Sequence, residues 1–386
     1  MTPVRLTGMA PRPIVAMPQL VRMNAAGITG LIQEMFSKPA DATFFMNQFQ
    51  LFSTLGNCDF ALEMQKKALE LETAYRIVPS KAPTVRLLAL MTPGDSSENT
   101  PLEYLVEDSD IQLDLLYILP GKPLPVAIPE HDVAIVAAGS SSRDALALME
   151  RLTSEWPRPV LNPAQCIRRC SRESLCLLLE DIPDLVIPNS AIASRHDLGA
   201  ANQTFDPPMT IRPLDSQAGR GLARIESSQA LAAYLAQSEA AAFHVSRYVE
   251  YRSRDGRYRK LRIVLIDGQP FLCHLAIGND WIVHYGSSGM MESSDKRCEE
   301  ARLLEHFESD FLPRHRAALG RIAGRLELDY VVIDCAETQD GKLLLFEADN
   351  RGWVHATDPV DLFAYKQEPM KRVFSAFREM LIRAKG

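Results

Sequence analysis

The sequence has no run of about 18 consecutive apolar residues, so a helical membrane span is not expected. Its opening, Met1 to Leu20, is broken by prolines and lacks the apolar core of a secretion signal. The seven cysteines contain no C-x-x-C pair and are odd in number and scattered, which disfavours both a disulfide framework and a zinc site. Cys166, Cys170 and Cys176 read as buried thiols. Neither charge sign dominates: 42 Lys and Arg stand against 49 Asp and Glu, for a net charge of -7. That balance supplies no bulk field for DNA or an acidic membrane, so neither is an expected partner, and any anion must be held locally. No G-x-G-x-x-G follows an apolar strand, which disfavours a nicotinamide-binding Rossmann unit. Lysine is scarce, at 11 residues against 31 arginines, so an arginine at a site that elsewhere takes lysine carries little meaning. A reducing, cytoplasmic setting fits these absences.

What is present is an ordinary globular composition, 46% apolar and 24% charged, over 386 residues, enough for two or three packed units. Residues 1–40 are rich in Pro, Gly and Met with little periodicity and read as a loosely ordered arm. Residues 41–82 hold two helices: Phe44, Phe45, Phe49, Phe52 and Leu55 recur at helical spacing, Gly56-Asn57 breaks the run, and Phe60 to Tyr75 resumes it. This hairpin resembles one tetratricopeptide repeat. Residues 83–188 alternate buried-strand runs (Val85–Met91, Leu113–Leu119, Val133–Ala137, Val160–Leu161) with helices at Leu102–Glu107 and Arg143–Ser154, which predicts a small parallel α/β domain. The turn Ala138 to Ser142 reads as a helix N-cap or an anion seat, with the cap favoured. Residues 189–386 read as an antiparallel-rich α+β domain that ends in an amphipathic helix, Pro369 to Ile382.

The sharpest chemical signal lies near the carboxyl end. Asp334 closes the apolar strand Tyr330-Val331-Val332-Ile333, the chain reverses at Asp340-Gly341, and Leu343 to Phe346 returns to Glu347 and Asp349. Carboxylates beside that much hydrocarbon are costly without a cation to offset them. Hard oxygen ligands suit Mg²⁺, which fills its remaining positions with water and nucleotide phosphate, so the hairpin points to an ATP site. A second signal is Thr210-Ile211-Arg212-Pro213 running into Asp215 to Leu222. There Gly219 and Gly221 allow backbone N–H groups to approach phosphate oxygens while Arg212 supplies charge.

The order of these elements resembles the ATP-grasp superfamily, in particular its RimK-like branch of carboxylate-amine ligases. The resemblance runs from about Val85 to the end, through Pro159 to Pro163, the helix of Arg172 to Leu179, Arg212-Pro213, Gly219-x-Gly221, Val245 to Glu250, Lys260 to Val264, Asp334, and Phe346 to Asp349. It implies an ATP-grasp fold, with a small parallel pre-grasp domain, antiparallel sheets that clasp ATP, and a helical region in front. It also implies ATP and Mg²⁺ as cofactors. The residues it assigns to ATP are Arg172, Arg212, Ser216, Gly219 and Gly221, with Arg247, Tyr248, Val249 and Glu250 at the adenosine and Asp255 as a second choice for the ribose. Arg262 matches the arginine at the transferring phosphoryl group. Asp334, Glu347 and Asp349 match the positions that hold one or two Mg²⁺. His284, Tyr285 and His355 fall where an acceptor would be contacted.

Three positions depart from the pattern. Arg212 replaces the usual Lys, Lys260 stands where Asp is common, and Asp349 replaces the usual Asn, with Asn350 beside it. The activity implied is amide formation through an acyl phosphate with release of ADP and phosphate. Its partners are a small-molecule or peptide carboxylate and an amine, and a homodimer is a compatible assembly. An ATP-grasp kinase, a carboxylate-thiol ligase and a nucleotide-binding scaffold stay open as alternatives.

Overall fold

The protein was analysed as a computed structural model that describes residues 5–6, 9–123, 127–199, 206–214, 216 and 219–386. Among these it is an α/β and α+β protein built on three main sheets. Residues 215, 217 and 218 of the glycine loop, and 1–4 and 7–8 of the arm, lie outside the described residues.

The first sheet has six strands in the order Arg12–Ile14, Ala74–Ile77, Ile111–Tyr117, Val85–Met91, Val133–Val136, Val160–Leu161. All its pairings are parallel except that of Ala74–Ile77 with Ile111–Tyr117. The central strands are apolar without alternation, because helices and a second sheet cover both faces. The helices Ala42–Thr54 and Cys58–Leu71 form an antiparallel pair packed on one side. Asp41 caps the first, its Oδ1 accepting from the Phe44 N–H at 2.9 Å, and Asn57 caps the second.

The arm departs from expectation. From Arg12 it is ordered: a strand that extends the sheet, then helices Met17–Arg22 and Ala25–Phe36. What holds the first of these helices is tertiary and so invisible to periodicity. The Met17 N–H donates to Glu103 Oε2 at 2.6 Å, Leu20 is buried, and Arg22 forms two bonds to Glu107.

The second sheet has five strands: Gln269–Gly278, Tyr258–Ile266, Tyr330–Glu337, Leu343–Asp349 and the short Leu185–Val186. The final helix, Gln367–Lys385, packs against both large sheets, and each of the two large apolar clusters draws residues from both, so the two sheets share one core. Asn162 rivets them. It sits fully buried at φ +50°, its Oδ1 accepts from the Tyr330 N–H at 2.9 Å, its Nδ2 donates to the Tyr330 carbonyl at 2.8 Å, and its own N–H donates to Asp329. Asn162→Ala is expected to cost about 2–4 kcal/mol, because it orphans two buried backbone groups and leaves alanine in a left-handed conformation. A thermal melt checks this, and an unchanged midpoint would refute it.

The third sheet, Ser190–Ser194, Ala242–Arg247, Met209–Pro213, Ala223–Ile225, is wholly antiparallel. With helix Ser228–Gln237 it encloses a small core of its own around Ile211, Leu231 and Phe243. This lobe, separately cored, faces the five-stranded sheet across a cleft.

Candidate active site

The cleft measures about 390 Å³ and is floored by one row of side chains. In the five-stranded sheet Arg262 pairs with His274 on one side and with Asp334 on the other, and Asp334 pairs with Glu347. Residues in register share a face, so strand pairing alone aligns these groups. The register slips between Arg262 and Ile263 and again between Asp334 and Cys335, so two bulges adjoin the row. Lys260, two residues before Arg262, joins the same face.

Asp334 is 2% exposed. Arg262 grips it with both prongs, Nε to Oδ1 at 2.8 Å and Nη2 to Oδ2 at 2.9 Å, while Lys260 Nζ donates to Oδ2 at 3.0 Å. Burial alone would raise this carboxyl, but the charges of Arg262 and Lys260 outweigh it and hold it well below the usual range. Arg262 also donates to the Trp353 carbonyl at 3.1 Å. Glu347, more open, accepts one bond from Arg172 at 3.0 Å.

Arg212 enters from the opposing lobe and lines the cleft. Among the described residues it meets no carboxylate at ion-pair distance; its Nε donates to Ser216 Oγ at 3.2 Å. Burial, reinforced by the nearby charge of Arg172, pushes its pKa down to about 10. The guanidinium is thus partly desolvated, with no carboxylate at ion-pair distance among the described residues and Glu347 acting on it only from farther off. Beside it His244 faces Glu173 at 3.2 Å, and burial holds this imidazole below its ordinary value. Helix Arg172–Leu179 therefore reaches both walls, Arg172 toward the five-stranded sheet and Glu173 toward the lobe.

Among the described residues, five cationic ones, Arg172, Arg212, Arg247, Lys260 and Arg262, line the cleft against two carboxylates, Asp334 and Glu347. One flank is apolar and aromatic, with Ile187, Tyr248, Val249, Leu344 and Phe346. A flat apolar group and a polyanion both fit.

The glycine loop crosses toward the floor. Gly219 lies at φ +72°, and a β-carbon there would stand 2.7 Å from His284 Nε2. Gly221, at φ +67°, abuts Pro213, and its carbonyl accepts from Tyr234 Oη at 2.6 Å. Burial, then the charge of Lys260, holds His284 below its ordinary value. Gly219→Ala combines left-handed strain of about 1–2 kcal/mol with that contact, so for the ATP site that the sequence resemblance implies a roughly tenfold rise in KM for nucleotide is expected. Steady-state kinetics at varied ATP tests this, and an unchanged KM would refute it.

Several expected site residues lie elsewhere. Asp349 is not among the residues that line the cleft. Both its oxygens accept from Arg351, at 2.7 to 3.1 Å, and Arg351 reaches Ser141 Oγ at 2.9 Å. The three acids expected to share metal are therefore not gathered, and among the described residues no three Asp, Glu, His or Cys side chains form such a group. Neither acid expected at the ribose lines the cleft. Glu250 folds back to the Arg252 N–H at 2.9 Å, and Asp255 is gripped by Arg259 at 2.9 and 2.7 Å. The Tyr248 N–H, expected at the adenine, already donates to the Pro208 carbonyl.

Tyr285 and His355, both half-buried, do not line the cleft. Tyr285 stacks on His274 and accepts from Lys366, which also holds Asp358. His355 bonds Thr357 at 2.8 Å, and burial pushes its pKa down to about 4. Ser142 does not cap its helix; its hydroxyl donates to Glu98 at 3.1 Å. Lys260, Glu173, His244 and Arg351 escaped assignment from the sequence, although the two-residue spacing of Lys260 from Arg262 already set them on one face.

No family model matches the chain, and no curated protein matches it in sequence. Solved structures similar to it include two described as ATP-grasp proteins and a D-alanine–D-alanine ligase. One is the RimK domain ATP-grasp protein of Sphaerobacter thermophilus, at 18% identity over 77% of this chain and 99% of that one, with a TM-score of 0.45. Another is the ATP-grasp ligase PsnB in complex with its precursor peptide PsnA2 and AMPPNP, at 13% identity over 80% and 100%, with a TM-score of 0.43. A third is the D-alanine–D-alanine ligase of Bacillus anthracis with ATP, at 12% identity over 78% and 98%, with a TM-score of 0.43. Among the described residues, no helix is long and apolar enough to cross a membrane.

Proposed function

We propose that the protein is an ATP-dependent ligase that joins a carboxylate to an amine and releases ADP and phosphate. The observation that carries this reading is Arg212, a desolvated cation with no carboxylate partner among the described residues, in a cleft with more cationic than anionic side chains. A half-buried guanidinium of this kind awaits an anion, and a triphosphate supplies several oxygens to its fork.

Arg212 and Arg172 bind the phosphates, and the backbone of Gly219 to Gly221 closes over them. The base lies on the flank of Ile187, Tyr248, Val249, Leu344 and Phe346, with backbone groups near Val249 as its polar partners. Arg262 is aimed where charge develops during phosphoryl transfer, and its orientation is locked by Asp334 and the Trp353 carbonyl. An oxygen of the substrate carboxylate attacks the γ-phosphorus, the bond to the β-phosphate oxygen breaks, and ADP leaves. The amine then adds to the acyl carbon, loses a proton, and phosphate departs. No nucleophilic side chain is needed; positioning and fixed charge do the work.

Glu347 suits a divalent cation, having one oxygen bound to Arg172 and a side chain 44% exposed. Bound there, Mg²⁺ would neutralise phosphate charge. The oxygens of Asp334 and Asp349 are already engaged. His284, neutral at pH 7 and beside the glycine loop, is placed to contact the incoming amine. Substrates are amino acids or a peptide, with a cytoplasmic site of action.

ADP release by purified protein, screened against amino acids, dipeptides and peptides encoded beside its gene, tests this reading. Turnover that needs both a carboxylate and an amine, and is lost in Glu347→Ala, supports it. A phosphorylated product formed without an amine indicates a kinase. A product formed only with a thiol indicates a thioester-forming enzyme, and no turnover with any pair indicates a scaffold.

A further inference from the structure

The floor of the cleft is short of free carboxylate and rich in fixed cation. Asp334 has three donors on its two oxygens, two from Arg262 and one from Lys260, all within 3.0 Å. Two positive side chains thus serve one acid, and the unit is net cationic. Asp349 spends both oxygens on Arg351, which is anchored on Ser141, away from the cleft. Of these three acids, Glu347 alone keeps an oxygen without a cationic partner among the described residues. A magnesium ion takes most of its six ligands from water and phosphate, so one carboxylate is enough to seat one ion. Among the described residues that line the cleft, a second ion would find no free carboxylate and two fixed positive charges. Lys260 has a side chain 15% exposed, lines the cleft, and projects from the same strand face as Arg262.

We propose that Lys260 supplies, as a built-in ammonium, the positive charge that a second divalent ion would bring, so that the nucleotide is handled with one metal ion at Glu347. This rests on the reading of the cleft as an ATP site. It carries two consequences. Bound nucleotide brings one metal ion per chain, and part of the nucleotide affinity survives without metal, because Lys260, Arg262, Arg212 and Arg172 remain. A lysine that merely balanced Asp334 would have neither consequence.

The test uses the full chain with AMPPNP and Mn²⁺ as probes. Bound Mn²⁺ is counted by the loss of the free-ion electron paramagnetic resonance signal, and AMPPNP affinity in EDTA is measured by calorimetry. Wild type is expected to bind one Mn²⁺ per bound AMPPNP, and to bind AMPPNP in EDTA no more than about 100-fold more weakly than with metal. Lys260→Asp, which restores a carboxylate and removes a cation, is expected to bind two Mn²⁺ and to lose metal-free AMPPNP binding. Lys260→Gln, a milder change that serves if the aspartate does not fold, is expected to keep one Mn²⁺ and to weaken metal-free binding by about 10- to 100-fold, the effect of removing one charge-assisted contact. Two Mn²⁺ ions in wild type, or unchanged metal-free affinity in Lys260→Gln, would overturn the proposal and leave the ATP reading intact. Folded wild type that binds no AMPPNP with or without metal would overturn the ATP reading itself, and this proposal with it.

Discussion

Arg262→Lys is expected to lower kcat for ADP release by about 10²- to 10³-fold, with nucleotide affinity changed by less than about fivefold. Lysine keeps the charge beside Asp334 but loses the fork. It cannot bridge both carboxylate oxygens and the Trp353 carbonyl at once, so the cation is no longer held where the transferring group gains charge. The loss should fall on kcat because phosphate binding also rests on Arg212 and Arg172. Arg262→Ala is the less informative variant. It leaves a buried Asp334 with Lys260 alone, and breaking a buried pair in this way costs about 3–5 kcal/mol, so inactivity could reflect poor folding. Steady-state kinetics with calorimetric AMPPNP binding separates the two effects. A kcat within threefold of wild type would remove Arg262 from the chemistry.

Arg212→Ala should do the opposite of what an ordinary buried arginine does. In most cores removal of a guanidinium breaks a pair and destabilises. Here the group meets no carboxylate among the described residues, and burial already disfavours its charge, as its pKa of about 10 records. The variant is therefore expected to melt at the wild-type temperature or above it. Nucleotide binding should weaken by about 10- to 150-fold, the usual loss for a hydrogen bond to a charged group of 1.5–3 kcal/mol. A lower melting temperature with unchanged affinity would make Arg212 a structural residue and withdraw the observation on which the functional reading rests.

Much of the floor was legible before any coordinates, for a simple reason. Asp334 and Glu347 each follow an apolar strand and are joined by a short reversal, so pairing them needed only a hairpin, and Arg262 sits on the strand that pairs with that of Asp334. What the sequence could not reveal was which partner each acid would take. Asp349 has the right spacing, yet Arg351, two residues on, captures both its oxygens. Asp255 is a reasonable ribose ligand by position, but the turn at Gly256, φ +84°, brings Arg259 back onto it. Glu250 bonds the backbone two residues away. In each case a short-range contact that periodicity does not encode decides the side chain's direction. The arm fails as an expectation for the reverse reason. The first of its helices is fastened by Glu103 and Glu107, more than 80 residues distant, and long-range ties leave no local pattern.

The small lobe's separate core has a functional side. Its strands carry Arg212 and the glycine loop, while the five-stranded sheet carries Arg262 and Glu347. Helix Arg172–Leu179 contacts both walls through adjacent residues. Nucleotide that engages Arg212 on one wall and the floor on the other would draw the two together.

The central claim, phosphoryl transfer from ATP to a carboxylate, is tested most directly by following oxygen. A substrate found in the ADP-release screen is labelled with ¹⁸O in its carboxylate, turned over with ATP and the amine, and the released phosphate is weighed by mass spectrometry. The account predicts that each phosphate carries one ¹⁸O from the carboxylate, because that oxygen becomes the bridge of the acyl phosphate and leaves with phosphorus. Phosphate free of label, with amide still formed, would contradict it.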